Sequence, residues 1–144
     1  MHGKVLELEA NTVVFREGEP PSELYFLQAG KVLVCTLDGT KVKVITRISA
    51  GEFIGELSFF DGKPRASSVV TLEKSKLIRI DTRTIEEHLP KWYSQVGQAL
   101  TKKIRLLDQV IHSSNIRISR DEETKPLSLQ EQRLLYNLLT NQNA

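Results

Sequence analysis

The sequence has 144 residues, enough for one domain with a single hydrophobic core, and its 40% hydrophobic and 26% charged residues are typical of a globular protein. The net charge of only +2, without basic clusters, argues against a nucleic-acid binder that relies on charge alone. A single cysteine, Cys35, excludes an internal disulfide, and the sequence shows no signal peptide and no apolar run of about 18 residues. We therefore expect a cytoplasmic protein, with no membrane contact and with Cys35 in the core.

The first eighty residues predict a β-rich body. Several segments are rich in β-branched and aromatic residues and are separated by turns that contain glycine or proline, a pattern typical of short strands in a barrel or sandwich. The predicted strands are residues 12–15, 24–27, 31–37, 41–48 and 69–80.

The chain after Asp81 predicts helices. Residues 82–89 should form a short helix that ends at Pro90, and residues 91–114 carry apolar side chains at spacings of three and four. Some apolar residues of this long helix lie beside the main stripe, so we expect it to be covered on two sides. The main stripe comprises Trp92, Val96, Leu100, Ile104, Leu107 and Ile111, and the second set Ala99, Leu106 and Val110.

The remaining residues predict a linker and one more helix. Residues 116–125 are polar and mixed in charge, whereas Ser128 and Glu131 have the spacing of a capping box before a leucine-rich helix over residues 129–139. The expected fold class is α+β, with a β body and a long helix over residues 1–115 and a linker with a short helix over residues 116–144.

Residues 51–70, GEFIGELSFFDGKPRASSVV, combine groups that suit a nucleotide. Gly55 would let an anion approach the first backbone N–H groups of a short helix that follows it, and Arg65 would add a forked positive charge suited to phosphate. Glu56 could accept a hydrogen bond from a sugar hydroxyl. From spacing alone, an ordinary surface pair of Glu56 and Arg65 beside a turn is the alternative.

The same segment resembles the phosphate-binding cassette of the cyclic-nucleotide-binding domain family, which includes the catabolite activator protein and the regulatory subunits of cyclic-AMP-dependent kinase. The earlier stretch FREGEPPSELYFLQAGKV resembles the family's first strands and turns, and the helix from Pro90 resembles its long C-terminal helix. The resemblance extends from Thr12 to Asn115. It implies a β-roll, a jelly-roll barrel of the double-stranded β-helix type, followed by C-terminal helices, and a receptor for a cyclic purine monophosphate rather than an enzyme.

The resemblance also assigns roles to seven positions of the cassette. The carboxylate of Glu56 would accept the ribose 2′-hydroxyl, and the guanidinium of Arg65 would pair with the cyclic phosphate; the eight residues between them match the spacing in the kinase subunits. The remaining five positions would leave room for the phosphate or turn backbone amides toward it: Gly55, Leu57, Ser58, Ala66 and Ser67.

The base preference is expected to be adenine. Family members that prefer cyclic GMP often carry a threonine directly after the cassette arginine, and Ala66 stands there in this chain, which favours cyclic AMP with cyclic GMP as the alternative. On the long helix, Leu107 would pack on the purine and Asp108 would accept from its amino group. A solvated surface acid is the other interpretation of Asp108.

The expected function is an allosteric cyclic-nucleotide receptor that needs no cofactor, metal or catalytic residue and that signals to an unidentified effector protein or attached domain. Pairing of helix 91–114 with its copy would make a homodimer; in the competing account, the last helix covers that side of a monomer. A regulator of the catabolite activator type, whose DNA-binding part is absent from this chain, is the alternative function. About thirty residues follow Asn115, too few for a helix-turn-helix module, so we expect no DNA binding by this chain.

Two further interpretations have less support from the sequence. A metal enzyme with a cupin barrel would hold its metal through histidines on the strands, where this sequence has none. A family member that has lost its ligand is disfavoured by the presence of both Glu56 and Arg65.

Overall fold

A computed structural model describes residues 3–81, 83, 85, 87, 90–113 and 122–141. Within these residues, eight strands and three helices have defined bounds, and we number each kind in chain order; residues 83, 85 and 87 are also helical. The strands are β1 (Lys4–Leu8), β2 (Val13–Phe15), β3 (Glu23–Ala29), β4 (Lys31–Asp38), β5 (Lys41–Ser49), β6 (Phe53–Ile54), β7 (Ser68–Thr71) and β8 (Ser75–Asp81). The helices are α1 (Glu56–Asp61), α2 (Lys91–Ser113) and α3 (Leu129–Thr140).

The strands form two antiparallel sheets of four strands each. The first sheet has the order β1-β8-β3-β6 and the second has the order β2-β7-β4-β5. The strands are short, and consecutive strands often lie in different sheets, so the chain winds into a roll. The expected β-roll followed by helices is confirmed.

The hydrophobic core lies between the two sheets. Because side chains alternate along a strand, the second sheet also presents an outer apolar face. In β4, Val32 belongs to the inner core and Leu33 to the outer cluster, and Val69 and Val70 divide in the same way in β7. The inner core comprises Phe15, Tyr25, Leu27, Val32, Ile54, Val69 and Leu77.

Helix α3 covers the outer face of the second sheet. Leu135 and Leu139 are buried there together with Leu33, Cys35 and Val42. The capping box at the start of α3 is confirmed, since the Ser128 hydroxyl accepts from the Glu131 N–H and the Glu131 carboxylate accepts from the Ser128 N–H. The competing expectation that this helix covers α2 is wrong, because its buried leucines face the sheet. Cys35 is a core residue, as expected.

Three differences from the expected elements have local causes. The predicted strand 69–80 is two strands, because the chain turns after Thr71 and crosses from the second sheet to the first. Strands β1 and β6 were not predicted; β6 has only two residues, too few for a periodic signal. Most of the predicted helix 82–89 and part of the predicted linker lie outside the described residues. No helix in the described part of the chain has both the length and the apolar character that a membrane crossing requires.

Candidate functional site

The short helix α1 begins at Gly55 in a backbone conformation that favours glycine. Gly55 has φ 83° and ψ 21°, in the left-handed region, and it supplies no side-chain cap. The first intrahelical hydrogen bond runs from the Phe59 N–H to the Gly55 carbonyl, at 3.2 Å. The N–H groups of Leu57 and Ser58 therefore come before the first intrahelical hydrogen bond, so the helix itself supplies no acceptor for them.

Gly55 lies directly against the arginine of the cassette. The Arg65 guanidinium donates to the Gly55 carbonyl at 3.0 Å. A Cβ atom at Gly55 would overlap the same guanidinium nitrogen and would approach the Phe15 ring to 3.3 Å. Any larger residue at this position would displace Arg65, so the glycine makes room for the cation as well as for the turn. The sequence therefore predicted correctly that α1 and Arg65 meet, although they are separated by a loop.

Arg65 is a buried cation that is held by neutral groups. It is only 4% exposed, it donates to the Glu23 carbonyl at 2.6 Å, and its guanidinium carbon lies 4.2 Å from the centre of the Phe15 ring. Among the described residues, no carboxylate lies within 4 Å of it. Burial lowers the pKa of Arg65, and the neighbouring Tyr25 and Glu23 oppose that shift. Because arginine stays protonated, the site holds a desolvated positive charge that no carboxylate of the described residues meets in an ion pair, although Glu23 and Glu19 act on it from a greater distance.

Glu56 is the first residue of α1 and is exposed to solvent. Neighbouring atoms nevertheless partly desolvate its carboxyl group. This desolvation raises the pKa of Glu56 above the ordinary value for glutamate, and the nearby Glu52 acts in the same direction. The nearby backbone amides of Glu56 and Gly55 act in the opposite direction and partly offset the rise in the pKa. The carboxyl group thus remains accessible as an acceptor at the edge of the cassette.

A turn after β2 supports the segment before β7 that carries Arg65. The Gly18 N–H donates to the Arg65 carbonyl at 2.8 Å, and the Arg65 N–H donates to the Glu19 carbonyl at 2.9 Å. Further along, the Glu17 N–H donates to the hydroxyl of the buried Ser68 at 2.8 Å. Residues 16–19 therefore fix the main chain on both sides of the arginine.

Sequence reasoning missed the groups that hold the arginine: Phe15, Glu23, and the turn of residues 16–19. These groups lie far from Arg65 in sequence; Glu23, for example, is 42 positions away from it. Glu23 acts through its main-chain carbonyl, which any residue carries. The only available signal was the turn motif of Glu17 and Gly18.

The cassette helix packs against the long helix α2. The Phe60 ring of α1 lies on Gly97, where a Cβ atom would overlap the ring. One turn further along α2, the buried Thr101 donates its hydroxyl to the Gly97 carbonyl at 2.8 Å. Arg105 then forms a two-pronged ion pair with Asp61, the last residue of α1. The two helices are therefore in direct contact through a packed ring and an ion pair.

The other residues predicted to contact the nucleotide differ in how far they are buried. Ser58 is 3% exposed and donates its hydroxyl to the Pro64 carbonyl at 3.3 Å, which closes the loop toward Arg65. Ala66 is exposed and Ser67 is partly buried. Leu107 is 63% exposed and Asp108 is also exposed, so their contacts with a base stay a prediction.

Comparisons with known proteins agree with this geometry. The chain is 26% identical over 120 residues to the Pycsar effector protein XpPycTIR of Xanthomonas perforans, which covers 81% of this chain and 38% of that protein. It is 31% identical over 97 residues to the CRP-like cAMP-activated global transcriptional regulator of Mycobacterium tuberculosis, which covers 64% of this chain and 43% of that regulator. The chain thus spans less than half the length of either relative.

Solved structures show the same fold. The cAMP-bound form of the EAL enzyme Bd1971 superposes with a TM-score of 0.63 at 23% identity, covering 78% of this chain and 32% of that one. The family described as cyclic nucleotide-binding domain matches residues 5–90, which include the whole cassette and both sheets. The chain belongs to the cyclic nucleotide-binding domain family.

Proposed function

We propose that this chain is a cyclic-AMP receptor domain that signals allosterically to a partner protein or an attached domain. The observation that carries the proposal is the buried Arg65 guanidinium, which is held by two carbonyls and a ring without a carboxylate in ion-pair reach among the described residues. A buried charge is costly unless an opposite charge and hydrogen bonds meet it. An anionic ligand would supply that charge.

A cyclic phosphate suits this position better than a larger anion. It carries one negative charge, which one guanidinium balances, and the N–H groups of Leu57 and Ser58 supply further donors. The Glu56 carboxylate would accept the ribose 2′-hydroxyl at the other end of the cassette. Ala66, and the predicted base contacts of Leu107 and Asp108, favour adenine over guanine. No cofactor or catalytic step is part of this proposal.

The signal would leave the cassette through α1. A ligand shifts a conformational equilibrium only by its difference in affinity for the two states, so the cassette must differ between them. Movement of α1 on phosphate binding would act on α2 through Phe60 against Gly97 and through the ion pair of Asp61 with Arg105. The effector that α2 would address is a protein or domain outside the described residues, and the cytoplasm is the compartment we propose.

The long helix also offers a surface for a second copy of this chain. Eight large apolar residues, from the main stripe and the positions beside it, are exposed over five turns, with exposed fractions between 43% and 63%. A stable monomer seldom leaves such a patch in water. We propose a homodimer in which the stripes of two α2 helices cover one another. The exposed residues are Trp92, Tyr93, Val96, Leu100, Ile104, Leu106, Leu107 and Val110.

The test is a calorimetric titration of the full chain with cyclic AMP and cyclic GMP. We expect the Arg65→Ala variant to bind cyclic AMP about 2–5 kcal/mol more weakly, the usual cost of leaving a buried charge unpaired. Arg65→Lys keeps the charge but loses the fork that reaches both carbonyls, so it should also bind more weakly than the wild type. Arg133→Ala, on the exposed side of α3, is the matched control and should bind normally. Unchanged affinity of Arg65→Ala would refute the site.

The comparisons do not favour the alternative of a DNA-binding regulator. We propose that this chain does not bind DNA specifically, with or without cyclic AMP. A gel-shift assay with the purified chain and a pool of random duplexes tests this, and recovery of one enriched sequence would contradict it.

A further inference from the structure

We infer that α3 is a regulatory helix whose docking on the outer face of the second sheet is coupled to occupancy of the cassette through Arg16. The inference rests on the proposed function, because it names a second output for the same nucleotide site. It concerns an element beyond residues 5–90, which the family match covers.

The docking of α3 combines an apolar contact with specific hydrogen bonds. Leu135 and Leu139 are 3% and 5% exposed against the sheet. The Gln132 side-chain amide donates to the Val42 carbonyl at 2.6 Å and accepts from the Val42 N–H at 2.7 Å. Val42 lies in β5, an edge strand of the second sheet, so Gln132 satisfies backbone groups that the sheet leaves unpaired. The helix is thus docked in one register.

The other end of α3 is held by Arg16. The last carbonyls of a helix lack intrahelical partners, and Arg16 donates to two of the carbonyls at this end, those of Leu138 at 3.4 Å and Asn141 at 3.2 Å. The Arg16 Nε atom is buried and, within the described part of the chain, has no hydrogen-bond partner. Leaving a buried donor unsatisfied costs free energy, so this arrangement persists only while its surroundings hold it in place.

Arg16 is also the first residue of the turn that fixes the cassette arginine. The next residues of that turn donate to the Arg65 carbonyl and accept from the Arg65 N–H, through Gly18 and Glu19 respectively. A ligand that immobilises Arg65 therefore also restrains residues 16–19, and with them the position from which Arg16 reaches α3. Because coupling between two sites is reciprocal, a docked α3 must also favour nucleotide binding.

The reactivity of the Cys35 thiol should show whether α3 is docked on the sheet. It is fully buried in the cluster that α3 forms with the sheet, and burial raises the pKa of its thiol to about 12. Since the thiolate is the reactive form, the docked state protects this residue from alkylation. Release of α3 would uncover the outer face of the sheet and make the only cysteine of the chain reactive.

The experiment measures the rate of Cys35 alkylation by iodoacetamide in the full chain. We expect saturating cyclic AMP to slow alkylation of the wild type by about fivefold or more, in the usual range of coupling between sites, while 5′-AMP leaves it unchanged. Arg16→Gln should react faster without ligand and should lose the response to cyclic AMP. Arg133→Gln, a second arginine change on α3 at an exposed position, should behave like the wild type.

The outcomes separate this inference from the proposed function. If calorimetry shows that the wild type binds cyclic AMP but alkylation is unchanged or faster with the nucleotide, the coupling to α3 is overturned and the receptor function stands. If neither cyclic nucleotide binds, both proposals fail. The wild-type comparison requires no variant, so the test remains decisive if Arg16→Gln does not fold.

Discussion

At the scale of single residues, the cassette combines a buried cation with an acid that keeps contact with water. Arg65 is oriented by three groups, and Phe15 is the one that acts through a side chain, with its ring 4.2 Å from the guanidinium carbon. Glu56 is exposed as a residue, but its carboxyl has a raised pKa because it is partly desolvated. Nucleotide affinity should therefore respond to protonation of Glu56 and to loss of the Phe15 ring that orients Arg65.

The raised pKa of Glu56 predicts that nucleotide affinity falls on acidification. A carboxyl with a raised pKa takes up its proton at a higher pH than an ordinary glutamate, and the protonated form is a poor acceptor for the ribose hydroxyl. The free protein should respond in the opposite sense, since an acid with a raised pKa destabilises the fold only while it is ionised. Titrations with cyclic AMP between about pH 5 and pH 8 measure the affinity.

Glu56→Gln is the control for that prediction. It should bind cyclic AMP about 1–3 kcal/mol more weakly at neutral pH, as for a lost hydrogen bond to a charged group. Its affinity for cyclic AMP should also lack the fall on acidification that protonation of Glu56 causes in the wild type. Parallel pH profiles for the two proteins would assign the titration to another group.

Phe15 is expected to position Arg65 without touching the ligand. Phe15→Leu removes the ring from below the guanidinium, and we expect cyclic AMP to bind about 0.5–2 kcal/mol more weakly, the range of a cation–π contact. Leu77→Val, in the same core but outside the cassette, should lower the free energy of unfolding without changing affinity. Urea unfolding and calorimetry on both variants distinguish the two effects, and equal affinities would contradict the positioning role.

At the scale of elements, the junction of α1 and α2 depends on a glycine in the interior of a helix. Glycine is usually unfavourable there, but Gly97 lets the Phe60 ring lie on the α2 backbone. Asp61 and Arg105 close the same junction, and together with the Lys63 N–H this contact lowers the pKa of Asp61, although partial desolvation acts the other way. That contribution to stability is present above the ordinary carboxyl pKa and is lost as the pH falls through the lowered value.

Gly97→Ala should therefore destabilise the protein, although alanine is the better helix former. The gain in helix propensity is about 1 kcal/mol, whereas overpacking typically costs about 1–3 kcal/mol. Urea unfolding measures the net loss, and Gln98→Ala on the exposed neighbouring position is the control. Adding Phe60→Leu should restore part of the loss, and full stability of Gly97→Ala alone would show that the two helices are not in close contact.

At the scale of the whole molecule, the two added helices differ in how their apolar surface is covered. The leucines of α3 are buried on the second sheet, while the stripe of α2 remains exposed, with Leu100 at 53%. The β body therefore covers the apolar face of α3 and leaves the apolar stripe of α2 exposed, which is the surface where we propose that a second copy binds.

Sedimentation equilibrium tests the dimer that this difference predicts. The wild type should have twice the 16.3 kDa mass of one chain. Leu100→Glu places a charge in the stripe and should yield the single-chain mass, while Gln98→Glu, on the polar side of α2, should leave the dimer intact. A wild type that sediments at the single-chain mass would contradict the proposal.

The features that depend on neighbouring residues could be predicted from the amino-acid sequence. Segments rich in β-branched and aromatic residues, separated by turn residues, predicted most of the β body. The spacing of Ser128 and Glu131 predicted a capping box, and the stretch from Gly55 to Arg65 predicted that helix and arginine meet. These predictions succeeded because turn chemistry, capping and the strand preference of β-branched and aromatic residues act over a few positions of the chain.

Which surfaces are covered and what holds the arginine became evident from the packed fold. It assigned the two parts of residues 69–80 to different sheets, placed α3 on the second sheet, and brought Phe15 and the Glu23 carbonyl to Arg65. The physical reason is that burial and main-chain hydrogen bonding across the fold depend on how distant segments pack. A backbone carbonyl is present at every residue, and apolar helices such as α2 and α3 present similar patterns whatever surface covers them.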